Sequence, residues 1–268
     1  MRASSLAYLR KETKMNVKQL YQKFAEHIPE SLREPWDNDG IMCCPDGTAE
    51  IYRALVTLDV TEEVVDYAIE RGFDLIVSHH PLIFKPLASI NEENNISRKL
   101  IKLICSSISV FSFHTRADKM IGGVNDRLAD MLSMFDTQSF GEGDLGRIGT
   151  IYEPMELQDF AYRVKQLTGS DIIRYADGYN DVHRVAVVGG DGKDYVKAAI
   201  EAGADTYISG RIGYNVMEEA PEMGINLIEA GHFFTEQHIT EYFRDLLIDL
   251  DPNIYVEIAN SNVIKTIS

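Results

Sequence analysis

Apolar residues recur along the chain at two spacings, and the switching between them is the first structural signal. From Val17, "VKQLYQKFAEHI" places apolar side chains at helical intervals. "EPWDNDG" then reads as a turn with an aromatic packing anchor at Trp36. "RALVTLDVT" reads as a strand, and Thr61, with Glu63 and the apolar positions beyond, opens a helix to about Glu70. "DLIVSHH" is the next strand and "SRKLIKLICSS" the next helix. "ISVFSFHTRAD" is a third strand ending in polar residues, and "GGVNDRLADMLSM" a glycine-led helix. Strands alternating with helices in this way predict an α/β fold with a mostly parallel sheet.

The turn-rich stretch "FGEGDLGRIGTIYEP" reads as a boundary, after which the pattern restarts. A helix from Met155 to Thr168 precedes strands "DIIRY" and "HRVAVVGG", a helix from Lys193, strand "DTYISG" and a helix around Gly213 to Ala220. Strand "INLIEAG", one long helix from His232 to about Leu250 and strand "IYVEIA" complete the chain. "VVGGDGKD" matches neither GxGxxG nor GxxxxGK[ST], so it reads as a tight strand-to-helix turn and not a phosphate loop.

At 268 residues, 45% hydrophobic and 25% charged, the chain can form one large domain or two of ordinary size around a real core. No stretch approaches a membrane span, and "MRASSLAYLRKETK" lacks the apolar centre of a secretory signal. Residues 1–14 therefore read as a tail or an upstream start before Met15. The three cysteines, Cys43, Cys44 and Cys105, offer no CxxC spacing and fit a reduced, cytoplasmic protein. Cys105 reads as core and not as a nucleophile. A net charge of −16 repels phosphate, which disfavours nucleic acid as a partner.

Candidate chemistry collects where strands stop. His79 and His80 end one predicted strand, and His114 and Asp118 lie at or just past another, where α/β sheets gather binding groups. In "EAGHFFTEQ", His232 and Glu236 are four residues apart and share one helix face. Taken alone, such a pair more often sits solvated on a surface. Together, His79, His80, Asp118, His232 and Glu236 offer three imidazoles and two carboxylates, a set suited to zinc, iron, manganese or nickel. Adjacent histidines that point apart grip one ion poorly but can serve two, with carboxylates bridging. On spacing alone, five unrelated polar residues remain the alternative.

"EPWDNDG", "DVTEEVVDYAIERGFDLIVSHHPLIF", "FHTRADKMIGGVNDRLADML", "GRIGTI", "RVAVVGGDGKDYVKAAIEAGADTYISG" and "INLIEAGHFFTEQ" together resemble the Nif-three-like family, often labelled GTP cyclohydrolase I type 2 homologs. The resemblance runs in order from about Met15 to the last long helix. It implies two divalent metal ions per subunit, held by His79, His80, Asp118, His232 and Glu236. It implies two α/β domains: a discontinuous metal-site domain of residues 15–135 plus 228–268, and a middle domain of residues 136–227. It also implies a homo-oligomer, a toroidal hexamer with the metal sites facing an internal cavity. Two departures stand out. Relatives read His-Thr-Asn-Leu-Asp where this chain has "HTRAD", so Arg116 and Ala117 alter the surroundings of Asp118. After "YISG" relatives often carry an aspartate and a histidine, where this chain has "RIGYNVM" with Asn215 in the histidine's place.

These features lead to two expectations. One is a metal-dependent hydrolase in which His114 moves a proton and Asp37, Asn38 and Asn215 approach a small-molecule or nucleotide substrate. Its imidazole ligands would need acidic partners on their second ring nitrogens. The GTP label fits such an acidic chain awkwardly. The other expectation is a non-enzymatic metal-binding hexamer, a metal carrier or a scaffold for partner proteins, since fold alone does not decide function.

Overall fold

The computed structural model describes residues 14–267, so nearly all of the tail at residues 1–14 lies outside the described residues. The first half comprises α1 (Val17–His27), β1 (Gly40–Cys43), β2 (Arg53–Thr57), α2 (Glu62–Glu70), β3 (Leu75–Ser78), α3 (Asn95–Cys105), β4 (Ser109–Ser112), α4 (Thr115–Lys119) and α5 (Val124–Met131). There follow β5 (Phe135–Phe140), β6 (Gly146–Met155), α6 (Leu157–Thr168), β7 (Arg174–Ala176), β8 (Val182–Asp191), α7 (Val196–Glu201), β9 (Thr206–Arg211), α8 (Tyr214–Glu218), α9 (Ala220–Met223) and β10 (Asn226–Glu229). The chain closes with α10 (His232–Glu236), α11 (Ile239–Leu250) and β11 (Tyr255–Ile258).

Local chemistry sets the helix starts. The Asn16 side chain accepts from Gln19 N while the Gln19 side chain caps in return, a reciprocal box that opens α1. Thr61 accepts from Val64 N at the start of α2. The amphipathic faces these helices present then cover two sheets.

The first sheet runs β1-β4-β3-β2-β11 and is parallel except for β1. Its central strands are buried on both faces, which explains their continuous apolar runs. Ala54, Val56, Leu75 and Val77 face α1 and α11 through Leu20, Phe24, Phe243 and Leu247. Leu55, Ile76 and Val110 face α2 and α3 through Val65, Ala68, Leu100 and Leu103. Because β11 pairs with β2, the last strand joins the sheet built by the first half of the chain.

The second sheet runs β5-β6-β8-β9-β10-β7 and is mixed, with parallel pairing only in β8-β9-β10. Helices α5 and α6 cover one face and α7 packs on the other. Here the sequence reading needs correction. Its turn-rich boundary is the end of β5, the connection and most of β6, whose Gly149 allows close approach of β5: a Cβ there would lie 2.7 Å from Phe135 O. The expected breaks at 135/136 and 227/228 fall inside β5 and β10. The long helix from His232 is broken at Gln237 and His238, and Thr240 N turns back to Gln237 O. Cys105 is exposed at the end of α3 and is not a core residue. No helix among the described residues is long and apolar enough to cross a membrane.

Candidate metal centre

The carboxyl ends of β2, β3 and β4 converge on one point. After β3 the ladder persists for two residues: His79 N donates to Thr57 O and His80 N to Leu58 O. This holds two adjacent side chains rigidly at the strand mouth. His79 is fully buried, and its Nδ1 donates to the Phe113 carbonyl at 2.9 Å, so the lone pair is left on Nε2. His80 Nδ1 donates to Asp59 Oδ1 at 2.7 Å, which likewise frees its Nε2. Asp59 is itself fixed by Ser261, whose Oγ accepts from Asp59 N and lies 3.1 Å from Asp59 Oδ2.

The carboxylates come from two short helices. Asp118 in α4 puts Oδ1 3.4 Å from His79 Nε2. Glu236 in α10, 4% exposed, spans the pair of histidines: Oε1 lies 3.9 Å from His79 Nε2, and Oε2 lies 3.1 Å from His80 Nε2. His232, one turn earlier on the same face, brings its Nε2 to 3.0 Å from Glu236 Oε2. The adjacent histidines therefore address opposite oxygens of one carboxylate.

Two buried atoms at this point, His79 Nε2 and Glu236 Oε2, have no hydrogen-bond partner. Orphaned buried polar atoms are costly unless something else satisfies them. Ligating atoms of His80, His232 and Glu236 lie within 4.8 Å of one another, as do those of His79, Asp118 and Glu236, and those of His79, His80 and His114. The set could hold a divalent ion, and its second-sphere partners are of the kind metal-bound imidazoles require. The electrostatics agree. Burial works against charge on His80, yet Glu236 and Asp59 push its pKa up to about 10. His232 is also raised against burial, chiefly by Glu236, while Glu236 is held well below the usual carboxylate range by His232 and His80 despite burial. The pocket calls for positive charge.

A floor of bare backbone supports Glu236 from the second sheet. Gly190 at the end of β8 has φ +68°, and a Cβ there would lie 2.2 Å from Glu236 Oε1. A Cβ on Gly210 would lie 2.7 Å from His232 Cα, and one on Gly189 would lie 2.9 Å from Val124 Cγ1 and press on Glu236 Cγ at 3.3 Å. Gly190 N donates to Thr235 Oγ1, and Gly189 N to Asn125 Oδ1. Asn125 Nδ2 in turn reaches the Asp118 carbonyl at 3.3 Å, tying α4 to β8. "VVGGDGKD" is thus the strand-to-helix turn from β8 toward α7, and its first glycines do more than turn. They are the wall against which Glu236 is set.

The expected substrate residues fare differently. His114 sits among the imidazoles, its ring centroid 5.4 Å from that of His79 and 5.6 Å from that of His80. Asp37 is hydrogen-bonded beside the centre: it accepts from His114 Nδ1 at 2.8 Å and from Thr115 Oγ1 at 2.7 Å. Burial opposes its charge, but these bonds bring its pKa down to about 2. Asn38 uses its amide on the Ile83 carbonyl, pinning the loop after His80. Asn215 is exposed on α8 and lines neither cavity beside the centre. Arg116 turns away from the centre, fully buried, with Nε 2.9 Å from Asp39 Oδ2 and its guanidinium over the Phe113 ring. Trp36 is 63% exposed beside Phe84 and His114, so it is no packing anchor within the subunit. Asp59 and Ser261 escaped the sequence reading. Asp59 had a findable signal, a lone carboxylate at a strand end, whereas Ser261 had none.

A family model described as Duf34/NIF3 (NGG1p interacting factor 3) matches residues 15–267. The GTP cyclohydrolase 1 type 2 homolog of Clostridium acetobutylicum is 34% identical over 231 residues, 83% of this chain and 85% of that protein. The protein NIF3 homolog of Schizosaccharomyces pombe is 31% identical over 272 residues, 94% of this chain and 95% of that one. A solved Staphylococcus aureus hypothetical protein superposes with a TM-score of 0.85 at 27% identity, covering 95% of this chain and all of its own. A Bacillus cereus protein related to NIF3 gives the same TM-score at 23% identity over 96% of this chain and 100% of its own, a likeness of fold.

Proposed function

Because the chain belongs to the Duf34/NIF3 family, we propose that each subunit holds two divalent ions and uses them as a metal-dependent hydrolase. The observation that carries this reading is that two three-residue groups, His79-Asp118-Glu236 and His80-His232-Glu236, share the carboxylate of Glu236. His79 and Asp118 would hold one ion and His80 and His232 the other, with the Glu236 carboxylate within reach of both. Bound there, the ions would supply Lewis acidity toward a polar bond. The imidazole and carboxylate set accepts zinc, iron, manganese or nickel.

The protein's own part is to orient and to move a proton. Asp37 fixes the His114 tautomer with hydrogen on Nδ1, leaving Nε2 as the group that accepts or returns a proton beside the centre. Burial lowers the basicity of His114, but Asp37 and Asp118 outweigh it and its pKa sits above the ordinary histidine value. We also propose a toroidal hexamer, on the family resemblance together with exposed rings such as Tyr152 and Tyr179.

The test is metal content per chain, by plasma mass spectrometry on protein purified without chelator. About two ions in the wild type, falling to one or none in His80→Ala and Glu236→Ala, are expected. Equal content in all three proteins would remove the centre and leave a partner-binding scaffold as the better account.

A further inference from the structure

The metal ligands open onto a cavity of about 710 Å³, a size that suits a small molecule. Its walls are largely apolar: Leu58, Val60, Leu82, Phe84 and Phe233, closed on one side by Ile264 of the carboxy-terminal segment. Among the side chains lining it, Lys99 is the one permanent cation. No arginine is present there, and the carboxylate of Asp59 is occupied by His80 and Ser261. Lys99 reaches in from α3 and spends one N–H on the Val60 carbonyl at 2.6 Å, which fixes the ammonium and leaves two donors. Burial pulls its pKa below the usual lysine value while Glu62 and Asp59 pull the other way, as expected of an ammonium short of water.

A second cavity of about 720 Å³ shares His232, Phe233, Asn262 and Ile264 with the first. It does not make good the shortage of cations. Its two arginines, Arg174 and Arg211, face three carboxylates, those of Asp171, Glu218 and Glu229, and Arg174 is already bonded to Glu229 at 2.6 Å. A triphosphate needs several cations or backbone donors in a cradle, and beyond the metal centre itself Lys99 is the one cation lining either cavity that no carboxylate in its lining already faces.

We infer that the cavity takes a compact organic monoanion with an apolar or aromatic body, its charged end bonded to Lys99 and its body against Phe84 and Phe233. This rests on the proposed metal centre only for the end that faces the imidazoles. A nucleoside triphosphate is the wrong class of occupant.

Calorimetric titration of the protein as purified, with phenylacetate and its neutral twin phenylacetamide, tests the assignment. The acid should bind about tenfold or more tightly than the amide, the worth of one charge-assisted bond. Lys99→Met should bring the two within about twofold, and Lys99→Arg should keep most of the preference. Metal content should be unchanged in both variants, and far-ultraviolet circular dichroism reports their folding. Equal binding of acid and amide by the wild type, or of neither at roughly millimolar concentration, would overturn the inference. So would a preference that survives in Lys99→Met, or GTP binding tighter than the acid. If that surviving preference vanishes with a chelator, the carboxylate is going to the ions instead. A metal-free wild type that still prefers the acid through Lys99 would end the hydrolase reading and leave this one standing.

Discussion

Two regions meet at Glu236, and they are built by opposite means. The first sheet supplies chemistry: His79, His80 and His114 with the carboxylates that aim them, each at a strand end. The second sheet presents bare backbone there, Gly189 and Gly190 against Glu236 and Gly210 against His232. The first region works by what its residues carry, the second by what its residues lack. A metal centre needs both, because a carboxylate bridging two histidines must be stopped from swinging away from either.

The sharpest way to break this contrast is Gly190→Ala. Its Cβ would occupy the place of Glu236 Oε1 and force an alanine to φ +68°. Metal content should fall to one ion or none, as in Glu236→Ala. Gly169 has similar φ, +71°, and nothing within 4 Å of a Cβ. Gly169→Ala should therefore cost about 1 kcal/mol in urea unfolding and leave metal content intact. If the two variants keep equal metal, the backbone floor is ordinary packing.

The contrast would blur if Arg116 acted on the centre, as its position two residues before Asp118 suggests. Its side chain instead pairs with Asp39 inside the core and donates to the Ile28 carbonyl at 3.1 Å. Asp39 sits with its pKa raised by burial even beside this guanidinium. Arg116→Asn would strand that carboxylate and should cost about 3–5 kcal/mol of stability, read by denaturant unfolding. Metal affinity of the folded fraction should hardly change. A large loss of affinity at unchanged stability would move Arg116 into the site.

Within the first region, Asp59→Asn weakens the acceptor on His80 Nδ1 and should lower metal affinity about 10- to 100-fold by competition with a chelating dye. Ser261→Ala acts one step further out and should cost less than Asp59→Asn. An effect of Ser261→Ala equal to that of Asp59→Asn would mean that the carboxy-terminal segment, more than the carboxylate, holds His80.

Legibility followed the same divide. The repeat of apolar runs gave the α/β class and most strands, because burial on both faces of the first sheet leaves short apolar runs, Leu75 to Val77 and Val110 to Phe111, within strands that are buried throughout. Titratable residues at strand ends drew attention to the histidines and carboxylates that the fold does bring together. Strand β5 was hidden because its FDTQSF residues are mostly exposed and polar, and β6 because glycines that permit close strand approach look like turn residues in one dimension. Gly190 was hidden for the same reason. The pairing of Asp37 with His114 was not legible, since the two lie 77 positions apart and nothing in spacing reveals such a pair. Asn215 was carried by the resemblance alone, and on α8 it stays in solvent.

The smallest expected effect concerns His238, which lies where the two regions touch. Its Nε2 donates to the Val124 carbonyl at 2.9 Å, and its Nδ1 is buried without a partner. Burial brings its pKa from the ordinary 6.5 down to about 4. Between these values the unfolded chain takes up a proton that the folded protein refuses. Stability from this group is therefore complete above pH 6.5 and lost as pH falls toward 4. The loss should reach roughly 2 kcal/mol at pH 5 and nothing at neutral pH. His238→Gln keeps a donor for Val124 and cannot titrate, so the unfolding midpoints of variant and wild type should converge as pH falls from 7 to 5. Parallel curves would mean that the ring is hydrated, and that the seam between the two sheets admits water next to Glu236.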